Sequence, residues 1–455
     1  MFINVKQIKK IKLISSGENV QYMESTFENC TSLASVDLTE FDLSNVISFK
    51  RTFFRCALSH VEFGNSTIVN VINMGQMFYS CSLSTLDLSV FDTSKVTDMN
   101  GLFYGHKWVS LNLKSFNTSL VRNFSYMFSV LDYLTYLEIN NFDTSKGLDM
   151  SYMFSGCRRL SFLNVSNFDT SLVTSMDYMF NSCGNLTSLD LSNFNTSSVK
   201  SMNYMLSLFY TDYCCFSYSL IRSLDLSNFN TSLVTSMKGM FYRCRNLVKL
   251  NIKSFDTSSV TDMSYMFYEC KFLTSLDISN LNGEKVTNTS HMFRDCNYLT
   301  SLDFDNFKMT EIKDMEYMFY KCILLKSLNL VNFDTSLTTN MAYMFYECKF
   351  LSFLNINNFN TSKVTDMNYM FSGCLFLASL NLSKFEISQY TTYNKILNPI
   401  SDNMIYCIRE EVYDKIKTEI EEKRCSIKDN NCFNGWSKKS YKYIEGTDKC
   451  IEDCN

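Results

Sequence analysis

One segment of 25 or 26 residues recurs along most of this chain and constrains its fold more than any other feature. Residues 254–276, SFDTSSVTDMSYMFYECKFLTSL, form a clear copy. Aligning the copies on their Met-Phe pair gives fourteen equivalent positions: Phe27, Phe53, Phe78, Phe103, Phe128, Phe154, Phe180, Leu206, Phe241, Phe267, Phe293, Phe319, Phe345 and Phe371. A fixed period of this length predicts a solenoid, in which each repeat contacts only its neighbours.

The first part of each repeat has the pattern of a short β-strand. In residues 186–194, LTSLDLSNF, the apolar Leu189 and Leu191 alternate with the polar Asp190 and Ser192. Alternation places the apolar side chains on one face, and identical strands from successive copies can stack only as a parallel sheet. The Asn-Thr-Ser sequence that follows predicts a turn, because these side chains bond to their own backbone.

The second part of each repeat has a helical spacing. Met263, Met266, Phe267 and Cys270 recur at intervals of three and four residues after the potential cap Thr261, which predicts one to three helical turns. The expected fold class is an α/β repeat solenoid of about 14 coils of strand, turn and short helix that form one parallel sheet. The recurring Met and Phe side chains are assigned to its core rather than to a cofactor site.

The expected domains are a solenoid at 1–385, a C-terminal cap at 386–424 and a cysteine-rich tail at 425–455. An insertion near 207–220 interrupts the solenoid and is interpreted as a tolerated loop, with a projecting binding loop as the alternative. In the cap, Ile408, Val412, Ile416 and Ile420 recur every four residues. This spacing predicts an amphipathic helix that covers the last coil.

The 18 cysteines fall into two main groups. Those at one inward position of the repeat are expected to be buried free thiols, with disulfides between stacked coils as the alternative. Others are crowded towards the C-terminus, where a short, cysteine-dense chain needs cross-links to fold. These disulfide candidates are Cys407, Cys425, Cys432, Cys450 and Cys454.

Composition and motifs argue against several classes of function. Lys and Arg number 42 and Asp and Glu number 46, without a basic stripe, so nucleic acid is not an expected partner. No segment has the run of about 18 apolar residues that a transmembrane helix needs. Phosphate-binding loops, zinc-ligand spacings and catalytic serine motifs are missing from the sequence. We therefore expect a non-enzymatic protein without catalytic residues, metal or cofactor.

The N-terminus, MFINVKQIKKIKLISS, is basic but has neither the apolar run nor the cleavage site of a signal peptide. The repeat spacing already begins at Ile8, Ile11 and Leu13, with no preceding cap. We therefore expect a piece of a longer protein or an unusual export route. An intact intracellular protein is the alternative.

One column of polar side chains is predicted to lie on the exposed face of the sheet. The fifth position of the strand pattern holds Asp, Glu or Asn in all fourteen copies. These side chains either satisfy one another in ladders along the sheet or form an acidic, hydroxyl-rich surface for a basic protein segment, a glycan or divalent cations. The candidate binding residues are Asp87, Asp190, Asp225, Asn251, Asp277, Asp303, Asn329 and Asn355.

Two copies carry a family resemblance: residues 186–205, LTSLDLSNFNTSSVKSMNYM, and residues 351–374, LSFLNINNFNTSKVTDMNYMFSGC. They resemble the BspA-like leucine-rich-repeat surface proteins, in the branch first catalogued as a mycoplasma-type lipoprotein domain of unknown function. The resemblance covers about residues 8–385. It implies a leucine-rich-repeat-like solenoid, display on the cell surface or secretion, and adhesion to host proteins or other cells. It brings no catalytic residues, and this chain departs from the family in showing no signal peptide or lipobox cysteine.

The leading functional hypothesis is a cell-surface or secreted protein that binds proteins or glycans through the polar sheet face. An intracellular repeat scaffold for protein–protein interaction is the alternative. A carbohydrate-active enzyme is less favoured: paired carboxylates perform glycoside hydrolysis, but here every repeat carries an equivalent polar residue, which is typical of a scaffold.

Overall fold

The computed structural model describes residues 2–416 except 16, 18, 66, 84–85, 209–218, 401–403, 409–410 and 413. The fold is a parallel β-solenoid of about 13 turns, divided into unit 1, Met1–Leu250, and unit 2, Asn251–Asn455. In unit 1, parallel bridges join equivalent residues of successive coils: Tyr22, Ser48, Asn73, Asp98, Asn123, Asp149, Ser175, Ser201 and Ser236. The corresponding series in unit 2 is Asp262, Asn288, Asp314, Asn340, Asp366 and Thr392. The predicted stacking of repeats is therefore present in both units.

The strands of the described residues are short. Unit 1 contains β1 (Lys10–Ile14), β2 (Ser35–Glu40) and β3 (His60–Glu62) in one parallel sheet, followed by β4 (Ser223–Asp225). β5 (Lys249–Asn251) begins in unit 1, and its last residue is the first of unit 2. In unit 2, β6 (Ser327–Asn329) pairs in parallel with β7 (Phe353–Asn355), and β8 (Ser379–Leu382) with β9 (Ile405–Ile408). Regular pairing in the described chain thus forms four sheets rather than the single sheet predicted.

Tight turns replace the predicted short helices. In the copy that predicted a helix after Thr261, Tyr265 and Glu269 have φ values of 60° and 53°, in the left-handed region. The N–H of Phe267 donates to Met292 O of the next coil at 2.9 Å, whereas the N–H of Met266 donates to Met263 O at 3.2 Å. Left-handed residues cannot continue a right-handed helix. The helix prediction was wrong because consecutive turns can also place apolar side chains inward at intervals of three and four.

Columns of identical side chains fill the core of each unit, as predicted. In unit 2, the ring of Phe345 stacks between those of Phe319 and Phe371, with centroids 5.6 Å apart on both sides. In unit 1, Phe53 stacks on Phe27 at 5.4 Å. These side chains and the neighbouring Met column are buried. A coil can bury them only against adjacent coils. The stability of each coil therefore depends on its contacts with the neighbouring coils.

The cysteine position of the repeat forms a hydrogen-bonded column. The eleven described cysteines at this position are buried free thiols. In unit 2, the Cys348 thiol donates to Phe319 O at 3.0 Å, and the Cys374 thiol donates to Phe345 O at 3.2 Å. Burial raises the pKa of Cys374 to about 12. The column therefore consists of protonated thiols that satisfy buried carbonyls, rather than of disulfides or metal ligands.

His106 replaces the cysteine in one coil of unit 1. Its Nε2 lies 2.7 Å from Phe78 O, the acceptor that a thiol would use in that register. A carbonyl oxygen only accepts, so Nε2 carries the proton. The ring is buried and stacks on Trp108 with centroids 3.9 Å apart. Burial lowers the pKa of His106 to about 4.

The C-terminal part of the described chain continues the solenoid before it turns helical. Ile408 belongs to β9, so it lies outside the helix predicted to start there. The described helical residues are 411–412 and 414–416, of which Val412 and Ile416 are buried. The Lys415 ammonium donates to Ile387 O, which ties these residues to the last coil. Ile420, Cys425, Cys432, Cys450 and Cys454 lie outside the described residues, and the predicted domain boundaries stay predictions.

Candidate functional site

The predicted binding residues occupy equivalent positions at the ends of the strand segments, in two sets. Asp87, Asp190 and Asp225 lie in unit 1, and Asn251, Asp277, Asp303, Asn329 and Asn355 lie in unit 2. All five aspartates are exposed and all three asparagines are half-buried. Each unit therefore presents a surface of its own, which we call its polar column.

The aspartates of both polar columns cap the backbone of their own strand segment. Oδ1 of Asp190 accepts the N–H of Ser192 at 3.0 Å, and Oδ1 of Asp277 accepts the N–H of Ser279 at 3.1 Å. Asp87, Asp225 and Asp303 make the same bond to the residue two positions later. Such Asx turns compete with continued sheet pairing. They limit the length of the strands.

Hydrogen bonding favours the ionised form of Asp87, Asp190 and Asp277. The backbone N–H of Ser89 lowers the pKa of Asp87, and that of Ser192 lowers the pKa of Asp190. For Asp277, the hydroxyl of Ser279 is the largest cause of a lowered pKa. No cation in the described part of the chain lies within ion-pair distance of Asp87 or Asp190. These exposed groups carry negative charge at neutral pH.

The asparagines near the end of unit 2 form an amide ladder. Nδ2 of Asn355 donates to Oδ1 of Asn329 at 2.9 Å, and Nδ2 of Asn329 donates to Oδ1 of Asp305 at 3.1 Å. Nδ2 of Asn381 donates to Oδ1 of Asn357 at 2.9 Å. Within the polar column, a side-chain bond thus joins Asn355 to Asn329, whereas Asn329 and Asn381 donate to Asp305 and Asn357, which lie two positions after column residues.

Within the described residues, no group of three or more His, Cys, Asp or Glu side chains is arranged to hold a metal ion. In each polar column, a coil contributes at most one carboxylate. The negative charges are therefore spread along the unit and do not converge on one point.

Sequence reasoning missed a second exposed feature, in unit 2. Phe272, Tyr298, Phe350 and Phe376 each follow a repeated cysteine by two positions, and all four are exposed. The signal was present as a recurring Cys-x-Phe or Cys-x-Tyr pattern. It went unused because the repeat was interpreted through its inward positions.

Coils of this period, with leucines inward and parallel pairing between successive coils, define a leucine-rich-repeat-like solenoid. The chain belongs to the family described as "Mycoplasma protein of unknown function, DUF285", whose model matches residues 1–87, 48–137, 72–162, 132–211, 214–327 and 299–404. The resemblance to BspA-like leucine-rich-repeat proteins is thereby confirmed.

One solved structure shares this fold at low sequence identity. A leucine-rich repeat protein from Bacteroides ovatus is 16% identical, with a TM-score of 0.51 over 85% of this chain and 91% of that one. A leucine rich cell surface protein from Faecalibacterium prausnitzii is 14% identical, with a TM-score of 0.25 over 86% and 77% of the two chains. No curated protein matches this sequence. The described residues contain no helix with the length and apolar character of a membrane span.

Proposed function

We propose that this protein is a non-enzymatic interaction module, displayed on the cell surface or secreted, that binds a protein or glycan ligand through its polar columns. The observation that carries the proposal is the exposure of ionised carboxylates at equivalent positions in successive coils. Asp190 exemplifies them: one oxygen is held by the backbone, so the carboxylate is fixed in place before any ligand arrives. A preorganised group loses little conformational entropy on binding.

A basic protein segment fits the carboxylates best. Negative charges repeated along a solenoid attract a chain of Lys or Arg side chains and raise its association rate. A glycan is the second candidate, because hydroxyl and amide groups such as Ser279 and Asn355 alternate with the carboxylates. An enzyme is disfavoured, since the coils repeat Asp, Glu or Asn at one position instead of combining different catalytic groups.

The test replaces carboxylates by amides and leaves the turns intact. The variants Asp87→Asn with Asp190→Asn, and Asp277→Asn with Asp303→Asn, keep an Oδ1 that can accept the backbone N–H. We expect binding of Lys-rich peptides to weaken about tenfold for each pair, equivalent to about 1.4 kcal/mol. Fluorescence anisotropy at two salt concentrations measures the effect, and the wild-type affinity should fall as salt rises.

Matched controls exist in each unit. Asp169 and Asp334 cap Ser171 and Ser336 with the same 2.9 Å bond, but they lie in the turn that follows the strand segment. Asp169→Asn and Asp334→Asn should leave peptide binding unchanged. If these controls weaken binding as much as the polar-column variants do, general charge rather than the polar columns attracts the peptide, and the proposed surface is wrong.

The location outside the cell is tested by the oxidation state of five thiols. In a secreted or surface protein, Cys407, Cys425, Cys432, Cys450 and Cys454 should be largely disulfide-bonded, because oxidising compartments favour such cross-links in cysteine-dense segments. The eleven buried thiols of the repeat should stay free and serve as the internal control. Mass spectrometry of native protein after alkylation without reduction measures both groups. Free thiols at all five positions would support the intracellular scaffold instead.

A further inference from the structure

An exposed apolar column runs along unit 2 at the position two residues after the repeated cysteine. In five successive coils this position holds Phe272, Tyr298, Leu324, Phe350 and Phe376, which we call the aromatic column. The aromatic members are exposed, Phe376 to 58%, and Leu324 between them is half-buried. The ring of Phe272 lies against that of Tyr298, and the ring of Phe350 against that of Phe376, with centroids 5.2 Å apart in both pairs.

The fold does not require apolar side chains at this position. In the 26-residue copies of unit 1 that contain the cysteine, the equivalent residues are Ser32, Arg159, Asn185 and Asn246. Those coils have the same buried Phe and Cys columns. Exposing apolar surface to water is unfavourable. A contiguous exposed apolar surface is typical of a place where another molecule binds.

We propose that the aromatic column docks the apolar face of an amphipathic helix of a partner protein. The inference rests on the interaction role proposed above, but it assigns a different surface and a different partner chemistry. Four steps between coils, at about 4.8 Å each, give the column a length of about 19 Å. An α-helix rises about 1.5 Å per residue, so about 13 residues of helix cover this length.

The backbone beside the column excludes the addition of a strand. The N–H of Tyr298 donates to Lys271 O, that of Leu324 to Asn297 O and that of Phe350 to Ile323 O, at 3.1–3.2 Å. A peptide that binds as an extra strand needs unpaired backbone groups of this kind. Contacts with the column must therefore come from side chains, as they do when a helix lies in an apolar groove.

Ring orientation favours a protein over a glycan. Within each stacked pair, one face of each ring is covered by the other ring, which leaves less open ring face for a sugar. A sugar ring packs on an open aromatic face, whereas Leu and Met side chains pack well against ring edges. The low interplanar angles, 30° for Phe272 and Tyr298 and 16° for Phe350 and Phe376, fit this description.

Charges on one margin of the column are complementary to a helix with both signs on its polar face. Lys271 lies 4.0 Å from Glu269, and Lys349 lies 3.9 Å from Glu347, measured from nitrogen to oxygen. Glu269 is buried, whereas Lys271, Glu347 and Lys349 are partly exposed. Each lysine is close to a glutamate, so the margin carries little net charge. A partner that is strongly basic or strongly acidic would meet like charges there, which disfavours it. Binding at this column should accordingly depend little on salt.

The test uses the full-length protein and a labelled synthetic peptide of about 14 residues, with leucines on one helical face and balanced Glu and Lys on the other. A scrambled peptide of the same composition lacks the apolar stripe. In fluorescence anisotropy, wild-type protein should bind the amphipathic peptide at least tenfold more tightly than the scrambled one. The double variant Phe350→Ser with Phe376→Ser should weaken that binding at least tenfold.

Two further variants make the result specific. Phe162→Ser changes an exposed aromatic residue of unit 1 and should leave peptide binding unchanged. The variant Asp277→Asn with Asp303→Asn should also leave binding of the amphipathic peptide unchanged. If the polar-column proposal holds, the same variant should bind Lys-rich peptides more weakly. The two proposals can therefore fail separately. Circular dichroism should show that the Phe350/Phe376 variant is folded, because both side chains are exposed.

Three outcomes would overturn the inference. Equal binding of the amphipathic and scrambled peptides would show that no apolar stripe is recognised. Unchanged binding in the folded Phe350/Phe376 variant would place the peptide elsewhere. Tighter binding to cellohexaose or to neutral phosphatidylcholine vesicles than to the amphipathic peptide, lost in the same variant, would assign the column to a glycan or a membrane surface instead.

Discussion

Phe345→Ala is expected to lower the free energy of unfolding by about 3–5 kcal/mol, the range for a fully buried phenylalanine. Phe345 stacks between Phe319 and Phe371 and is 0% exposed. The N–H of Phe345 donates to Met370 O of the next coil, and the N–H of Phe319 donates to Met344 O. Because the coils are held at this spacing, they can close the resulting cavity only in part. Guanidinium chloride unfolding followed by circular dichroism measures the loss.

The control is Phe350→Ala, five residues further along the same coil. Phe350 is 45% exposed, so its truncation should change the free energy of unfolding by less than about 1 kcal/mol. Similar losses for Phe345→Ala and Phe350→Ala would contradict the assignment of the Phe column to the core and of the aromatic column to the surface.

Acidification should destabilise unit 1 through His106, by about 3 kcal/mol between pH 6.5 and pH 4. The folded-state pKa of His106 is about 4, below the ordinary value of 6.5, so the unfolded chain binds the proton first as the pH falls. Each pKa unit of difference corresponds to about 1.4 kcal/mol. The stability associated with neutral His106 is therefore full above pH 6.5 and lost progressively as the pH falls towards 4.

The matched variant is His106→Cys, which restores the residue used at this position in eleven other copies. Its thiol can donate to Phe78 O but does not titrate between pH 4 and pH 6.5. Urea unfolding at several pH values compares the two proteins, and carboxyl groups common to both cancel in the difference. The wild type should lose more stability on acidification than the variant. Equal pH dependence would show that His106 is protonated, or exposed, in the folded protein.

The solenoid and its core could be predicted because every copy repeats the same constraint. Phe319, Phe345 and Phe371 are one another's neighbours in space, so the alignment of copies is also a map of contacts. The same reasoning located the buried thiols. It also explains why Leu206 can occupy the phenylalanine position: it is still a buried apolar side chain.

The turns were missed because the residue types at the left-handed positions do not reveal the backbone conformation there. Tyr265 and Glu269 rarely adopt positive φ, so nothing in that copy points away from a helix. The signal lay in other copies. Gly101 occupies the position of Tyr265, and Gly156 occupies that of Glu269, and both glycines also have positive φ. When one copy has glycine at a position that holds another residue in the other copies, the comparison indicates a left-handed backbone more clearly than any single copy does.

The polar columns were predicted as a surface, but their local chemistry was not. Alternation identified Asp190 as outward-facing, whereas its bond to the Ser192 N–H depends on the backbone turning at that point. Asn355 also accepts the N–H of the residue two positions later, but its Nδ2 in addition donates to the equivalent side chain of the preceding coil, Asn329. Sequence spacing alone does not distinguish an exposed carboxylate from an amide that bonds to a neighbouring coil.

The thiol-to-carbonyl bond has a consequence for how such chains change in length. The bond from Cys348 to Phe319 O and that from Cys374 to Phe345 O join successive coils in the same register, and other junctions repeat it. A recombination event that deleted or duplicated one 26-residue segment would create a junction with the same donor and the same acceptor. Natural populations of such a gene could therefore vary in repeat number while each new junction remained compatible with folding.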